Sequence, residues 1–225
     1  MEYPDKNNVR VIIPTKNEGA SIGSLLRELQ TLNYTKITVV DGHSEDGTCD
    51  TVREEYPSVT LIEQDGHGKG QALRQVFAIT EEPYILMMDA DGTNPPGYGY
   101  TLVNYAANGY DHVIGNRLAC YEKGAFKTLN ICGNIGFNAF FKQKTGEDMK
   151  DILSGFRAFK TEAVKKMELK TDGFEIETEM CLETIRKNLT WTVVDTPYRK
   201  RTGKSNLHPF KDGKTIMALI SAYKP

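Results

Sequence analysis

Short runs of β-branched and aliphatic residues punctuate the first half of the chain at 9–13, 37–40, 59–62, 84–88 and 112–114, with helical periodicity between them. Each run is nearly continuous in apolar side chains, as a strand covered on both faces should be. Ile22, Leu25, Leu26 and Leu29 share one helix face, and 52–56, 71–79 and 100–107 supply the next three connections. The expected fold class is α/β, an open, mostly parallel sheet flanked by helices. Sheets of this kind hold ligands beyond the carboxyl ends of their strands, so the loops that follow the strands are where chemistry is sought.

After about residue 118 the alternation decays into a helix at 129–145, a strand at 156–159, a helix at 176–187, a strand at 192–195 and an apolar tail at 216–223. No repeat or low-complexity linker separates 1–117 from 118–225, which predicts a single domain. The 28 Lys+Arg against 30 Asp+Glu leave no basic field for nucleic acid, so any anion site must be built locally. Cys49, Cys120, Cys132 and Cys181 form no Cys-x-x-Cys pair and read as free thiols of a reducing compartment. The amino terminus has no apolar signal-peptide core, and no stretch approaches the ~20 apolar residues of a membrane span. The expectation is a chain that is neither secreted nor membrane-spanning.

The run at 84–88 leads directly into Asp89-Ala90-Asp91-Gly92, and strand alternation would aim both carboxylates the same way. Two like charges brought together are costly unless a cation neutralises them, and carboxylate oxygens suit Mg²⁺ or Mn²⁺. A solvated acidic turn is the alternative for this motif alone. Pro14-Thr15-Lys16-Asn17-Glu18 follows the first run, Asp41-Gly42-His43-Ser44 ends the second, and Gly68-Lys69-Gly70 opens the helix before the acidic motif. No Gly-x-Gly-x-x-Gly follows the first run and Lys69 precedes Gly70, which excludes a dinucleotide-binding oxidoreductase and a P-loop NTPase. The glycine-rich, Arg-containing opening loop of a sugar-phosphate nucleotidyltransferase is also missing. His43, His67, His112 and His208 show no metal-ligand spacing.

This ordered set resembles the family 2 glycosyltransferases of the GT-A fold over nearly the whole chain. Within that family it is most similar to the dolichyl-phosphate (polyprenyl-phosphate) sugar synthases, through Gly115-Asn116-Arg117, Asp151-Ile152-Leu153-Ser154-Gly155-Phe156-Arg157 and Arg201-Thr202-Gly203-Lys204-Ser205. The resemblance implies a Rossmann-like nucleotide-sugar-binding half at 1–117, then an acceptor-binding half with a C-terminal interfacial segment at 118–225. It implies that Pro14, Thr15, Asn17, Glu18, Asp41, Lys69, Asp89 and Ala90 line the donor nucleotide and that Asp89 and Asp91 hold Mg²⁺ or Mn²⁺. Arg201 would grip the donor diphosphate and, with both aspartates, form the catalytic set. Arg117, Lys150 and Ser154 would hold the acceptor phosphate. Asp41-Gly42-His43-Ser44 lacks the second acid common after strand two, and Thr93 stands where mannosyl relatives place an amide, so UDP- and GDP-hexose both stay open as donors.

The implied reaction moves a hexose, with inversion, onto a polyprenyl (dolichyl) phosphate. A phosphate monoester has a second pKa near 6 and is mostly dianionic at pH 7, so it needs no general base. A glycan or other hydroxyl acceptor would need one, for which Asp151 or Glu177 are the candidates. A noncatalytic nucleotide-sugar-binding subunit is the remaining alternative. A lipid acceptor places the chain at the cytoplasmic face of a membrane, through the basic, aromatic-bearing stretch 200–211 and the apolar 216–223. That expectation covers both a peripheral enzyme and a chain trimmed before a C-terminal anchor.

Overall fold

The structure is a computed structural model that describes residues 4–126, 128–203 and 208–224. The apolar runs become strands β1 (Val9–Thr15), β2 (Ile37–Asp41), β3 (Thr60–Glu63) and β4 (Tyr84–Met87), alternating with helices α1 (Ile22–Thr31), α2 (Thr48–Glu55), α3 (Lys69–Ile79) and α4 (Pro96–Ala107). The second half supplies β5 (His112–Tyr121), α5 (Thr128–Thr145), β6 (Arg157–Lys160), α6 (Thr161–Lys166), α7 (Ile176–Arg186), β7 (Trp191–Tyr198) and α8 (Pro209–Ala222). One sheet forms in the order β3-β2-β1-β4-β6-β5-β7, parallel throughout except for β6, which runs antiparallel to both neighbours. From β1 the chain builds toward β2 and β3 on one side and toward β4 on the other. The crevice beyond the ends of β1 and β4 is thus the topological switch point.

Both faces of the sheet are covered, as the apolar runs require. Along β1, Val11 and Ile13 pack with Leu25 and Leu26 of α1, while Ile12 turns to the cluster of Leu73, Val76 and Phe77 of α3. A third cluster joins Phe141, Leu182, Ile216 and Ile220 from α5, α7 and α8. β3 departs from the expected double cover: it is the sheet edge, Thr60 and Glu63 are exposed, and Glu63 meets Arg53 at 2.6 Å. Charge on an edge strand discourages pairing with another chain. β5 extends well past the apolar 112–114, because its polar continuation pairs with β7 as far as Tyr121, with a register irregularity between Asn116 and Cys120. α6 was not foreseen, since six residues are too few to show a period.

The start of α3 is fixed from a distance. Glu179 of α7 accepts hydrogen bonds from the Lys170 and Thr171 amides at 3.0 and 2.9 Å and from the Thr171 hydroxyl at 2.7 Å. The segment so held accepts the Gly70 amide on the Asp172 carbonyl at 2.7 Å. A Cβ on Gly70 would lie 2.2 Å from the Thr171 carbonyl oxygen, so only glycine permits this approach. Gly70→Ala is therefore expected to destabilise the fold by about 1–3 kcal/mol, read as a lower urea midpoint with unchanged m-value. Gly97→Ala, where the new Cβ meets nothing within 4 Å, should leave the midpoint level or raise it.

Candidate active site

Three loops meet at the switch point, and short polar side chains tie them together. Asn17 has φ 54° and links the loops after β1 and β2: its amide donates to Ser44 Oγ at 2.8 Å, and its Oδ1 accepts the Glu45 amide at 2.8 Å. Asp41 folds the second loop by accepting the Ser44 amide at 2.9 Å and hydroxyl at 2.6 Å. The Glu18 amide donates to Thr48 Oγ1 at 3.0 Å, and the Gly42 amide donates to the Thr15 carbonyl at 2.8 Å. Beside Asp41 lies an open cleft of about 440 Å³ lined by His43, Ser44, Cys49, Arg53 and Glu63. Burial and the Asp41 carboxylate push the Cys49 thiol up to about 12, which leaves it unreactive.

β4 ends at Met87, so the alternation expected to aim Asp89 and Asp91 together does not operate, and the loop sends them to different partners. Asp89 Oδ1 meets Lys69 Nζ at 2.5 Å, and the same ammonium meets Glu177 Oε1 at 2.5 Å. Asp91 Oδ1 accepts the Thr93 amide and hydroxyl at 3.1 and 2.6 Å, leaving Oδ2 to Arg201 Nη1 at 2.7 Å. Arg201 Nη2 reaches on to Glu18. The backbone reinforces this bridge, since the Arg199 amide donates to the Thr93 carbonyl at 2.8 Å and the Thr202 amide to the Asp91 carbonyl at 3.3 Å.

Four carboxylates, Glu18, Asp89, Asp91 and Glu177, thus face two cations, Lys69 and Arg201. Burial pushes the Glu18 carboxyl up to about 7 despite the pull of Arg201, and it raises Glu177 despite Lys69. Burial also opposes the charge on Lys69, but Asp89 and Glu177 outweigh it and lift the amine above its ordinary value. Asp89 is held below the usual carboxylate range because Lys69, with Arg117 and Arg201, overcomes its desolvation. Carboxyls outnumber cations here, and such an excess of acid suits a divalent cation. No group of three or more His, Cys, Asp or Glu side chains among the described residues could cage one. The donor set therefore fits an ion held by one or two carboxylates and completed by substrate phosphate and water, the coordination Mg²⁺ favours.

The residues assigned to an acceptor phosphate do not converge. Arg117 is buried in a two-pronged pair with Asp151, Nε to Oδ2 and Nη2 to Oδ1 both 2.8 Å, and its amide adds a third bond at 3.0 Å. Asp151 is fully buried with both oxygens engaged, which makes it the partner of Arg117 and leaves no free oxygen for a general base. Ser154 is fully buried and its Oγ accepts the Phe156 amide at 3.2 Å. Lys150, at φ 60°, turns outward to Asp148 at 2.8 Å. Lys204 and Ser205 lie outside the described residues.

Two residues beside the site were missed. A Cβ on Gly155 would lie 2.4 Å from Asp89 Oδ2, so the loop before β6 can rest against that carboxylate only through a glycine. Arg157 is fully buried and donates to the Ser154 carbonyl at 2.6 Å, the Ile152 carbonyl at 2.7 Å and His112 Nε2 at 3.1 Å. It thereby fixes the loop that carries both Asp151 and Gly155. An arginine is always a donor, so His112 Nε2 accepts and its Nδ1–H donates to Thr184 Oγ1 at 2.7 Å. The signal was an arginine set in the apolar run Phe156-Arg157-Ala158-Phe159.

Residues 10–168 match the family model described as Glycosyl transferase family 2, and the chain belongs to that family. It is a glycosyltransferase. Glycosyltransferase AglJ of Haloferax volcanii is 39% identical over 95% of this chain and 71% of its own length. The dolichyl-phosphate hexose transferase of the same organism is 29% identical over 93% of this chain and 91% of its length. Among solved structures, glucosyl-3-phosphoglycerate synthase from Mycobacterium tuberculosis, in complex with Mn²⁺ and UDP-glucose, superposes with TM-score 0.74 at 19% identity. That match covers 95% of this chain and 78% of the other and establishes the shared GT-A fold.

Burial, and then the charge of Arg157, hold the His112 pKa well below 6.5, so folded His112 stays neutral where the unfolded chain takes up a proton. Its contribution to stability is complete above pH 6.5 and falls as the pH drops below it, by up to about 1.4 kcal/mol per pH unit. Urea midpoints should decline as the pH falls below about 6.5, and His112→Gln should flatten that decline.

Proposed function

We propose that the chain transfers a hexose from a nucleoside-diphosphate sugar to a polyprenyl phosphate, with inversion at the anomeric carbon. The observation that carries this reading is the charge-deficient acid cluster at the switch point, flanked by Arg201 on one side and Arg117 on the other. Pro14, Thr15, Asn17, Glu18, Asp41, Lys69 and Ala90 border the donor nucleotide, and Asp89 and Asp91 face its diphosphate. A Mg²⁺ or Mn²⁺ shared by those aspartates and the diphosphate would neutralise charge on the leaving group. Arg201, released from Asp91 and Glu18, adds a second positive charge on the departing diphosphate. Lys69 stays between Asp89 and Glu177 and holds Asp89 ionised.

Arg117 is the acceptor cation. Asp151 fixes one edge of its guanidinium and the protein buries it, so it meets a phosphate already oriented. A dianionic phosphate brings its own nucleophile, which agrees with a site whose Asp151 is fully engaged and whose Glu177 is pinned by Lys69. The named activity of the dolichyl-phosphate hexose transferase supports this acceptor class, and the Mn²⁺ and UDP-glucose bound to the mycobacterial enzyme support a metal and a nucleotide-sugar donor.

A lipid acceptor also calls for contact with a membrane surface, on its cytoplasmic side. Among the described residues no helix is long and apolar enough to cross a membrane. α5 and α8 pack on each other while leaving Leu129, Ile135, Phe210 and Met217 exposed, Phe210 to 89%, with Lys211 and Lys214 also exposed. Apolar tips beside lysines suit an interfacial face on anionic lipid. The interfacial expectation thus widens from the tail to include α5.

Transfer is tested by following labelled hexose into an organic-extractable polyprenyl phosphate. Asp91→Asn should lower kcat at least about 100-fold with the urea midpoint of the fold retained; undiminished turnover would remove Asp91 from the metal site. Replacing Phe210 and Met217 with serine should reduce co-flotation with anionic vesicles while leaving turnover of detergent-dispersed acceptor intact. Equal flotation of the variant would move the membrane contact elsewhere.

A further inference from the structure

An aromatic strip runs from the acid cluster outward along the β5–β7 extension. Thr93, whose hydroxyl sits on Asp91 at 2.6 Å, also bonds the Tyr198 phenol, which places that ring at the edge of the site. Tyr198 stacks on Phe126 with centroids 4.5 Å apart at 15°, and Phe126 meets Tyr121 edge-on at 5.3 Å. Tyr121 is 43% exposed, so the strip ends in solvent. The Arg117 guanidinium lies 5.4 Å from the Tyr198 centroid and 5.9 Å from that of Phe126. A buried cation and a chain of ring faces are therefore laid side by side, one end at the acids and the other at the surface.

We infer that this strip is a lane for the hydrocarbon next to the acceptor phosphate, occupied by the first prenyl units of the lipid. The inference rests on the acceptor proposed above and adds a subsite to it. A prenyl phosphate joins a dianion directly to a methyl-branched chain, and Tyr198 and Phe126 lie beside the Arg117 guanidinium, where the first carbons of a ligand whose phosphate meets Arg117 can run. The edges of the stacked Tyr198–Phe126 pair and the exposed Tyr121 ring offer such a chain an apolar surface with few rotamers to fix. Stacked rings also hold the guanidinium plane, so the same residues orient the cation and accept the hydrocarbon beside it. Polar walls would suit a sugar or glycerate acceptor better, and the strip selects against them.

The test uses water-soluble acceptors, which removes membrane binding from the measurement: farnesyl monophosphate and dodecyl monophosphate, with steady-state kinetics at saturating donor. The wild-type chain should show the lower KM for the branched prenyl phosphate. Tyr121→Ala, a change at an exposed ring, should raise the farnesyl phosphate KM about tenfold with donor KM and kcat within about twofold. Tyr121→Phe, which keeps the ring, should restore the wild-type value. An unchanged KM in Tyr121→Ala, with wild-type turnover of farnesyl phosphate, overturns the lane and leaves the acceptor assignment standing. Failure of the wild-type chain to use any polyprenyl, farnesyl or dodecyl phosphate overturns the acceptor assignment and the lane together.

Discussion

The site depends on a charge imbalance at the ends of β1 and β4. Glu18, Asp89, Asp91 and Glu177 are gathered where the strand order reverses, and two cations, Lys69 and Arg201, are shared among these four acids. Like charges drawn out of water remain only if counterions or protons join them. Burial raises the Glu18 and Glu177 carboxyls against the pull of Arg201 and Lys69, and a divalent ion beside Asp89 and Asp91 would ease the crowding of acids. Much of the surrounding architecture maintains this state. α7 contributes Glu177 and, through Glu179, holds the segment against which α3 starts, so that Lys69 arrives between two acids.

The side of the cluster that carries Arg117 is organised by buried arginines. Arg157 ties down the carbonyls of the loop before β6, and that loop delivers Asp151 to Arg117 and Gly155 to Asp89. Asp89 and Arg117 are thus connected through one short segment whose position rests on a fully buried guanidinium. Removing such a cation would leave two carbonyls and the His112 ring nitrogen unpaired in the interior, a severe loss in a folded protein. The Ser154-Gly155-Phe156-Arg157 element owes its distinctiveness to this: glycine for approach, arginine for anchorage, and a serine whose Oγ accepts the Phe156 amide.

The parallel half of the fold was legible because 9–13, 37–40 and 84–88 carry the continuous apolar character of strands covered on both faces. The run at 59–62 shared that composition, yet it lies at an edge, which composition does not distinguish. The far part of β5 was hidden because Asn116 and Arg117 break the apolar pattern, while the strand still pairs with β7 at Asn116 and again at Cys120 and Tyr121. At the site, residue types announced acids and glycines at strand ends, but not which carboxylate each cation would meet. Lys69 and Glu177 are far apart in sequence and meet only through the packing of α7. The family resemblance implied Lys150 as a phosphate ligand, and the structure places it at a positive φ with its ammonium on Asp148. Asp151 looked available as a base because its pairing with Arg117 depends on the bend of β5.

The most direct test of the charge argument is Mn²⁺ binding followed by electron paramagnetic resonance, with and without nucleoside diphosphate. The protein supplies two carboxylates and no third ligand among the described residues, so Mn²⁺ alone should bind weakly. Nucleoside diphosphate should tighten it by at least about tenfold, with the same factor appearing in the affinity for nucleotide when Mn²⁺ is varied, because the coupling is reciprocal. Mn²⁺ binding of equal strength with and without the diphosphate would contradict an ion shared between Asp91, Asp89 and the donor.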